Sequence, residues 1–328
     1  MMHPASDTDI ERKHTRYDYR KAAFAVRKRW LYTMSGFSDN GAEIREKNRT
    51  EAGTLYLLAS PIGNLADISE RTVKVLSECS FVAAEDTRVS GKLLSSLGIS
   101  KPMMPYHEHN KQQAGAEIVR RLRGGETCAL MTDAGTPGIS DPGSDIVRAC
   151  IDGGIPVTSV PGCCAAINAL ILSGFDTRRF CFEGFLPEKK KELDERLSFL
   201  RGERRTMIFY SSPHDLRRVL ASLSEYFGAE RRVALCREMT KLNEEIERTT
   251  LGAATESYTE RAPRGEYVLV LEGARGDSDA FWHELSVPQH VAYYEEKGMK
   301  HMDAVKTVAA DRGVAKNIIY KAVLDEKK

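Results

Sequence analysis

The chain has 328 residues, 41% hydrophobic and 29% charged, with a formal net charge of +1. Such values describe a globular chain of about two domains, and they exclude nucleic-acid binding through bulk positive charge, leaving only local patches. No apolar run approaches the ~20 residues of a membrane span and the N-terminus has no apolar signal core, so a cytoplasmic location without membrane contact is expected.

Residues 1–52 differ in character from the rest of the chain. From Glu11 to Trp30 eight Lys or Arg stand against two acids, with Tyr17, Tyr19, Phe24 and Trp30 interleaved. A disordered N-terminal extension is expected here; a basic aromatic arm for nucleic acid is the alternative. Order is expected from Gly53. Leu55 to Ala59 reads as a buried strand, with Ser60 to Asn64 as its loop. Ser69 is placed to cap a helix through Val73, Leu76 and Cys79. Phe81 to Ala84 is a second strand, ending in Glu85-Asp86-Thr87-Arg88. A helix through Leu93, Leu94 and Leu97 stops at Gly98. Met103 to Tyr106 is a short strand, followed by His107-Glu108-His109-Asn110 and a helix from Ala114 to Arg123.

Thr127 to Leu130 is the next buried strand. The stretch after it, Met131 to Gly143, holds three Gly, two Pro and two Asp. Packing alone does not need that composition. Gly lets backbone approach a ligand, Pro stiffens the turn, and such loops at strand carboxyl ends carry ligands in open α/β sheets. A helix through Ile146, Val147 and Cys150, a strand from Pro156 to Val160, the pair Pro161-Gly162 and a small-residue helix from about Ala165 to Leu172 complete the half. Alternation about every 25–30 residues predicts a parallel, doubly wound α/β domain over 53–172.

Strands cluster more over 173–275: Phe180 to Phe185, Thr206 to Tyr210, Arg232 to Cys236 and Glu266 to Leu271, with helices over Glu188 to Leu200 and through Leu216, Val219 and Leu220. A mixed-sheet α/β domain is expected. The tail, 276–328, reads as short helices broken at Gly298 and Gly313, either a helix-turn-helix or an ordinary helical tail.

Seven Cys, odd in number and without a Cys-x-x-Cys pair, fit thiols in a reducing compartment better than disulfides or zinc. His107 and His109 alternate and would share one side of a strand; further ligands cannot be placed, so no metal is expected. The chain lacks Gly-x-Gly-x-x-Gly and Gly-Lys-Ser/Thr. A cofactor would be held by backbone and pocket shape, which suits phosphate-free S-adenosylmethionine. Methyl transfer to a hydroxyl needs a proton acceptor. Glu85, Asp86, His107 and Glu238 are the candidate catalytic residues, all near strand ends. For Glu85 to Arg88 a helix N-cap with an ion pair is an equal alternative. Asp133 is expected to position groups and Asp141 to cap the following helix. Arg178-Arg179, Lys189 to Lys191 and Arg204-Arg205 are either nucleic-acid phosphate contacts or solvated surface.

Asp133 to Gly143 resembles the signature of ribosomal RNA small-subunit methyltransferase I, a family of the tetrapyrrole methylase superfamily. Ala59 to Leu65, Glu85 to Arg88, His107 to Asn110, Val160-Pro161-Gly162, Tyr210 to His214, Arg237 to Lys241 and Gly265-Glu266-Tyr267 resemble it as well, in order, from about Gly53 to Gly273. The helical tail is similar to the family's; the N-terminal extension lies outside the resemblance.

The resemblance implies a two-domain tetrapyrrole-methylase-like fold, with S-adenosylmethionine in the cleft between domains. It implies 2′-O-methylation of a cytidine in the decoding region of small-subunit (16S) rRNA, free or in the assembled 30S subunit, by a homodimer. Cofactor contacts carry over to Pro61 and Ile62, to Gly135, Thr136, Pro137 and Ile139, to Cys164 and Ala165, and more loosely to Tyr210 and Leu235. The superfamily's Gly-Asp-Pro stands here as Gly135-Thr136-Pro137, so a carboxylate is lost, and Asp133 is expected to supply polarity to the cofactor instead. The alternatives are a methyltransferase acting on a tetrapyrrole such as a precorrin and a non-catalytic ribosome-binding factor.

Overall fold

The computed structural model describes residues 50–274, 282 and 285–325. The expected N-terminal extension lies, up to residue 49, outside them. Contacts divide the chain into two compact units. One holds the chain up to Pro61 with Leu65–Cys163, the other Ile62–Asn64 and everything from Cys164.

The first unit runs β1 (Leu55–Leu58), α1 (Glu70–Glu78), β2 (Phe81–Ala84), α2 (Thr87–Ser96), β3 (Met103–Pro105), α3 (Lys111–Arg123), β4 (Cys128–Met131), α4 (Ser144–Asp152) and β5 (Val157–Val160). Its strands form one parallel sheet in the order β3-β2-β4-β1-β5. A parallel sheet must be covered on both faces, so its central strands read as unbroken apolar runs. Side chains alternate along them. Leu55, Phe81, Ala83, Cys128 and Leu130 pack against Ile118 and Leu122 of α3 and Ile146 and Cys150 of α4. Tyr56, Leu58, Val82, Ala84, Ala129 and Met131 take the other face, against Val75 and Leu76 of α1 and Leu94 of α2. This is the doubly wound architecture expected.

Local signals set the helix starts. Ser69 is the N-cap of α1, its Oγ accepting the Thr72 amide at 3.1 Å. Asp86 is the N-cap of α2. Residues 107–110 follow the strand as a turn: the Asn110 side chain accepts the His107 amide at 2.8 Å and donates to the Pro105 carbonyl at 3.0 Å, which closes an Asn turn beyond the last β3 residue. One expectation needs correction. Asp141 is not the cap of α4. Gly143 stands there, with no side-chain bond to the helix.

The second unit contains α5 (Ala165–Ser173), β6 (Phe180–Phe185), α6 (Lys190–Leu200), β7 (Thr206–Ser211), α7 (Leu216–Phe227), β8 (Arg232–Arg237), β9 (Glu245–Thr250), α8 (Leu251–Glu260) and β10 (Tyr267–Leu271). The sheet order is β6-β7-β10-β8-β9, with β6 and β7 parallel and the other pairs antiparallel. This is the mixed sheet expected. The unit begins at Cys164 rather than after residue 172, because Ala166, Ala169 and Leu170 of α5 bury against Ile208, Ala234, Val268 and Val270 of this sheet. Leu197, Leu216, Leu220 and Leu251 cover the other face.

The tail holds α9 (Val287–Glu296), α10 (His301–Asp311) and α11 (Lys316–Asp325). Val291, Tyr294, Val305, Val308 and Ile319 form its core. Asp311, 5% exposed, is its polar hub. Its Oδ2 accepts the Tyr294 hydroxyl at 2.6 Å and lies 3.3 Å from His290 Nε2. Its Oδ1 lies 3.5 Å from Nη2 of Arg201, the residue that ends α6. Among the described residues no helix is long and apolar enough to cross a membrane.

Candidate active site

Three loops at the carboxyl edge of the parallel sheet are fastened to one another. The amide of Ser60, after β1, donates to the Gly135 carbonyl at 2.8 Å, and the Gly135 amide returns a bond to the Ser60 carbonyl at 3.0 Å. Ser60 Oγ donates to the Thr132 carbonyl at 2.8 Å. Thr136 Oγ1 donates to the Cys163 carbonyl, after β5, at 2.8 Å. Two glycines are needed for this fit. Gly135 has φ +82°, a left-handed conformation that costs other residues roughly 1–2 kcal/mol. A Cβ on Gly162 would fall 2.6 Å from that of Ala59. Pro137 is buried and Ile139 is exposed. The amides of Thr136 and Gly138 have no partner among the described residues.

Carboxylates surround this frame. Glu85 Oε2 accepts the Asp133 amide at 3.3 Å, and Asp133 Oδ1 accepts the Asp86 amide at 3.2 Å. The ends of β2 and β4 therefore clasp each other through acidic side chains. Burial raises the Asp133 carboxyl above its ordinary range, against the pull of the Asp86 amide. Asp141 is pushed further, up to about 6, first by burial and then by the Glu85 charge; the neighbouring Thr132 hydroxyl holds it down in part. Asp86 differs. Its Oδ1 accepts the Arg88 amide at 2.8 Å and its carboxylate takes two Arg88 side-chain nitrogens. The Arg88 hydrogen bonds hold it at about 2. Asp86 is thus a helix cap with an ion pair, and too weak a base for proton abstraction near neutral pH.

The other two base candidates sit elsewhere. His107 occupies the turn after the edge strand β3, its ring 6.0 Å from that of His109. Glu238 belongs to the second unit, in a loop where it and Thr240 have φ of +50° and +64°. Its Oε1 accepts Lys241 Nζ at 2.9 Å and the Glu266 amide at 3.0 Å. Burial pushes its carboxyl up, but these partners outweigh it and leave it below the ordinary range. Glu238 organises its loop.

Of the cofactor contacts expected in the second unit, Cys164, Ala165 and Tyr210 share one layer against the sheet. Phe182 and Phe185 stand edge-on to Tyr210 at 5.0 and 5.5 Å. Leu235 is not in that layer: alternation along β8 places it with Leu269 on the opposite face. Ile62 belongs to the same unit by its contacts, and the neighbouring Gly63 packs so closely that a Cβ would lie 2.3 Å from Lys241 Cγ. The basic runs carry local acid partners, among them Arg178 with Asp176 at 2.9 Å, Lys189 with Glu192 at 3.1 Å and Arg205 with Glu203 at 2.6 Å. Such exposed pairs are worth little and exchange readily. Among the described residues no three His, Cys, Asp or Glu gather as a metal site.

A cavity of about 350 Å³ opens in the first unit beside this frame, between α2 and the loop after β1. Pro61, Leu65, Val89 and Leu93 make its apolar walls, and Ser90 and Asp133 add polar groups. Sequence reasoning missed Asp141 and Ser90 as functional candidates. Asp141 is recruited by a backbone reversal at Ser140, φ +60°, which composition does not announce.

A parallel doubly wound domain with a glycine–proline loop at its carboxyl edge, followed by a mixed-sheet domain, is a two-domain α/β architecture found among methylases. The chain belongs to the tetrapyrrole (corrin/porphyrin) methylases, whose family profile matches residues 54–255. The fold is similar to that of cobalt precorrin-4 methyltransferase, a cobalamin biosynthetic enzyme (TM-score 0.52, 16% identity, covering 70% of this chain and 98% of that one). It is also similar to uroporphyrin-III-C-methyltransferase from Thermus thermophilus (TM-score 0.50, 20% identity, 67% and 94%). Within the family the chain groups with ribosomal RNA small subunit methyltransferase I. It is 43% identical over 278 residues to the protein of that name from Halalkalibacterium halodurans, covering 84% of this chain and 96% of that one. It is 40% identical over 278 residues to that of Bacillus subtilis, covering 84% and 95%.

Proposed function

We propose that the chain transfers a methyl group from S-adenosylmethionine to the ribose 2′-hydroxyl of a cytidine in the decoding region of small-subunit rRNA. The observation that carries the reading is the 40–43% identity, over most of both chains, to proteins named ribosomal RNA small subunit methyltransferase I. The site's chemistry agrees. Thr136 and Gly138 offer unpaired amides for a carboxylate and for ribose hydroxyls, with Pro61 and Ile139 as apolar surface. Glu85, Asp133 and Asp141 provide negative charge for a cationic ligand, and nothing in the loop is built to grip phosphate. When bound, S-adenosylmethionine supplies an electrophilic methyl group on a sulfonium centre.

The chain's own part is to hold the acceptor and take its proton. Asp141 is the proposed base. A carboxyl at about 6 is ionised at neutral pH yet more basic than an ordinary carboxylate, the compromise that general-base catalysis favours. Glu85 and Thr132 set that basicity from opposite directions. Glu85 also fixes the Asp133 backbone and so acts as a positioning residue. The partner is small-subunit rRNA, free or assembled, and the working form is a cytoplasmic homodimer. Mass spectrometry of small-subunit rRNA from a deletion strain tests the reading: one ribose methyl should vanish and return on complementation. An unchanged ribose-methyl pattern refutes it.

A further inference from the structure

The cavity beside α2 contains more than a methyl-transfer site needs. Leu65 and Val89 are 42% and 40% exposed, large apolar groups left open around a recess. Ser90, 2% exposed, carries a buried hydroxyl with no hydrogen-bond partner. A buried helical Ser ordinarily donates to the carbonyl four residues back; here the Asp86 carbonyl receives only the Ser90 amide, at 3.0 Å. Asp133 spends Oδ1 on the Asp86 amide, and its Oδ2 has no partner among the described residues. The recess therefore has apolar walls, one uncommitted hydroxyl and one uncommitted carboxylate oxygen.

We propose that this cavity receives the nucleobase of the nucleotide being methylated, and that Ser90 and Asp133 read its edge as cytosine rather than uracil. The inference rests on the rRNA reading above. RNA-modifying proteins recognise bases splayed out of the stack by apolar contact on the ring faces and hydrogen bonds on the edge. Cytosine presents an amino donor beside a ring-nitrogen acceptor. A carboxylate accepts from the first and a hydroxyl donates to the second. Uracil reverses both groups and would set a carbonyl oxygen against the carboxylate. Lys92 lines the recess and is a cation for the nucleotide's phosphates, while Arg88, on the same helix, is committed to Asp86.

The test uses the full chain, S-adenosylmethionine and small subunits from cells lacking the modification, with cytidine or uridine at the acceptor position. Methyl incorporation is followed in single turnover, and cofactor affinity by calorimetry. Wild type should prefer cytidine by roughly 10- to 100-fold, the discrimination of a good edge contact. Ser90→Ala should lose roughly 3- to 10-fold in kcat/KM on cytidine subunits, the worth of one neutral hydrogen bond. Asp133→Asn should narrow the preference to a few-fold, because an amide can also donate to uracil. Val89→Trp, at a partly exposed position, should fill the recess and abolish turnover. Ser90→Ala and Val89→Trp should keep wild-type cofactor affinity and melting temperature, and Asp133→Asn is read by its ratio of cytidine to uridine turnover, which a change in cofactor affinity leaves untouched. Wild-type turnover and base preference in all three variants overturns the proposal, as does loss of cofactor binding in Val89→Trp, which would give the recess to the cofactor. A wild-type protein that binds cofactor but methylates neither subunit overturns the rRNA reading, and the proposal with it.

Discussion

Replacing Asp141 by Asn removes a carboxylate and keeps its shape. Wild-type Asp141 is raised to about 6 from 3.8 by burial and by Glu85. As the base it is about nine-tenths ionised at pH 7 and one-tenth at pH 5, so the single-turnover rate should fall about tenfold per pH unit below 6 and level off above 7. The Asn variant should lose roughly 10²- to 10⁴-fold in rate at pH 8 and show no step near pH 6. Stability should move the other way. The folded value lies above the unfolded one, so the folded state holds its proton longer; the group's favourable contribution is complete below about pH 4 and lost as pH rises through 6. A rise of that size corresponds to about 3 kcal/mol in full, and partial solvent access reduces this to about 1 kcal/mol. Asn should therefore stabilise the fold by about 1 kcal/mol at pH 8 and by almost nothing at pH 4. Methyl incorporation into small subunits across pH 5–8, with urea melts at both ends, reads both effects. A variant within about threefold of wild type, or a wild-type profile flat through pH 6, refutes the assignment.

Other substitutions probe the frame. Glu238→Gln should lower turnover without moving the step near pH 6, since Glu238 holds Lys241 and the Glu266 amide; a shifted step in the pH profile would return it to the candidate bases. Gly162→Val should cost roughly 1–3 kcal/mol by overpacking, because a Cβ there meets Ala59 at 2.6 Å, and thermal melts should show it. Asp311→Ala should cost roughly 2–4 kcal/mol by stranding buried polar groups. Trp282, stacked on His290 at 5.3 Å, gives a fluorescence signal for that loss in urea titrations.

The parallel domain was legible because its strands are buried on both faces and its helices are amphipathic; Ser69 and Asp86 behave as their residue types suggest. The strand β9 was not legible. Glu245-Ile246-Glu247-Arg248-Thr249-Thr250 has one apolar residue and lies at a sheet edge, where neither alternation nor an apolar run is required. The boundary at Cys164 was hidden because α5 is apolar all round, and nothing in such a helix says which sheet it will cover. At the site, the glycine–proline loop announced itself by composition. The roles of its acids did not. Asp86 sits at about 2 and Asp141 at about 6 because of their neighbours, Arg88 in one case and burial beside Glu85 in the other, and neighbours of that kind exist only after folding.

The bonds that fasten the three loops are main-chain bonds and short hydroxyls, from Ser60, Gly135 and Thr136. The longer Glu85 side chain adds its hold on the Asp133 amide from the end of β2. Outward-facing positions other than Glu85 and Asp133 can therefore change with little loosening of the frame. Evolution can swap acceptor chemistry on such a chassis one side chain at a time, and the separation matches a fold shared by proteins named for porphyrin, corrinoid and RNA substrates. Anyone retargeting this scaffold would leave the loop backbone alone and redraw the wall of α2.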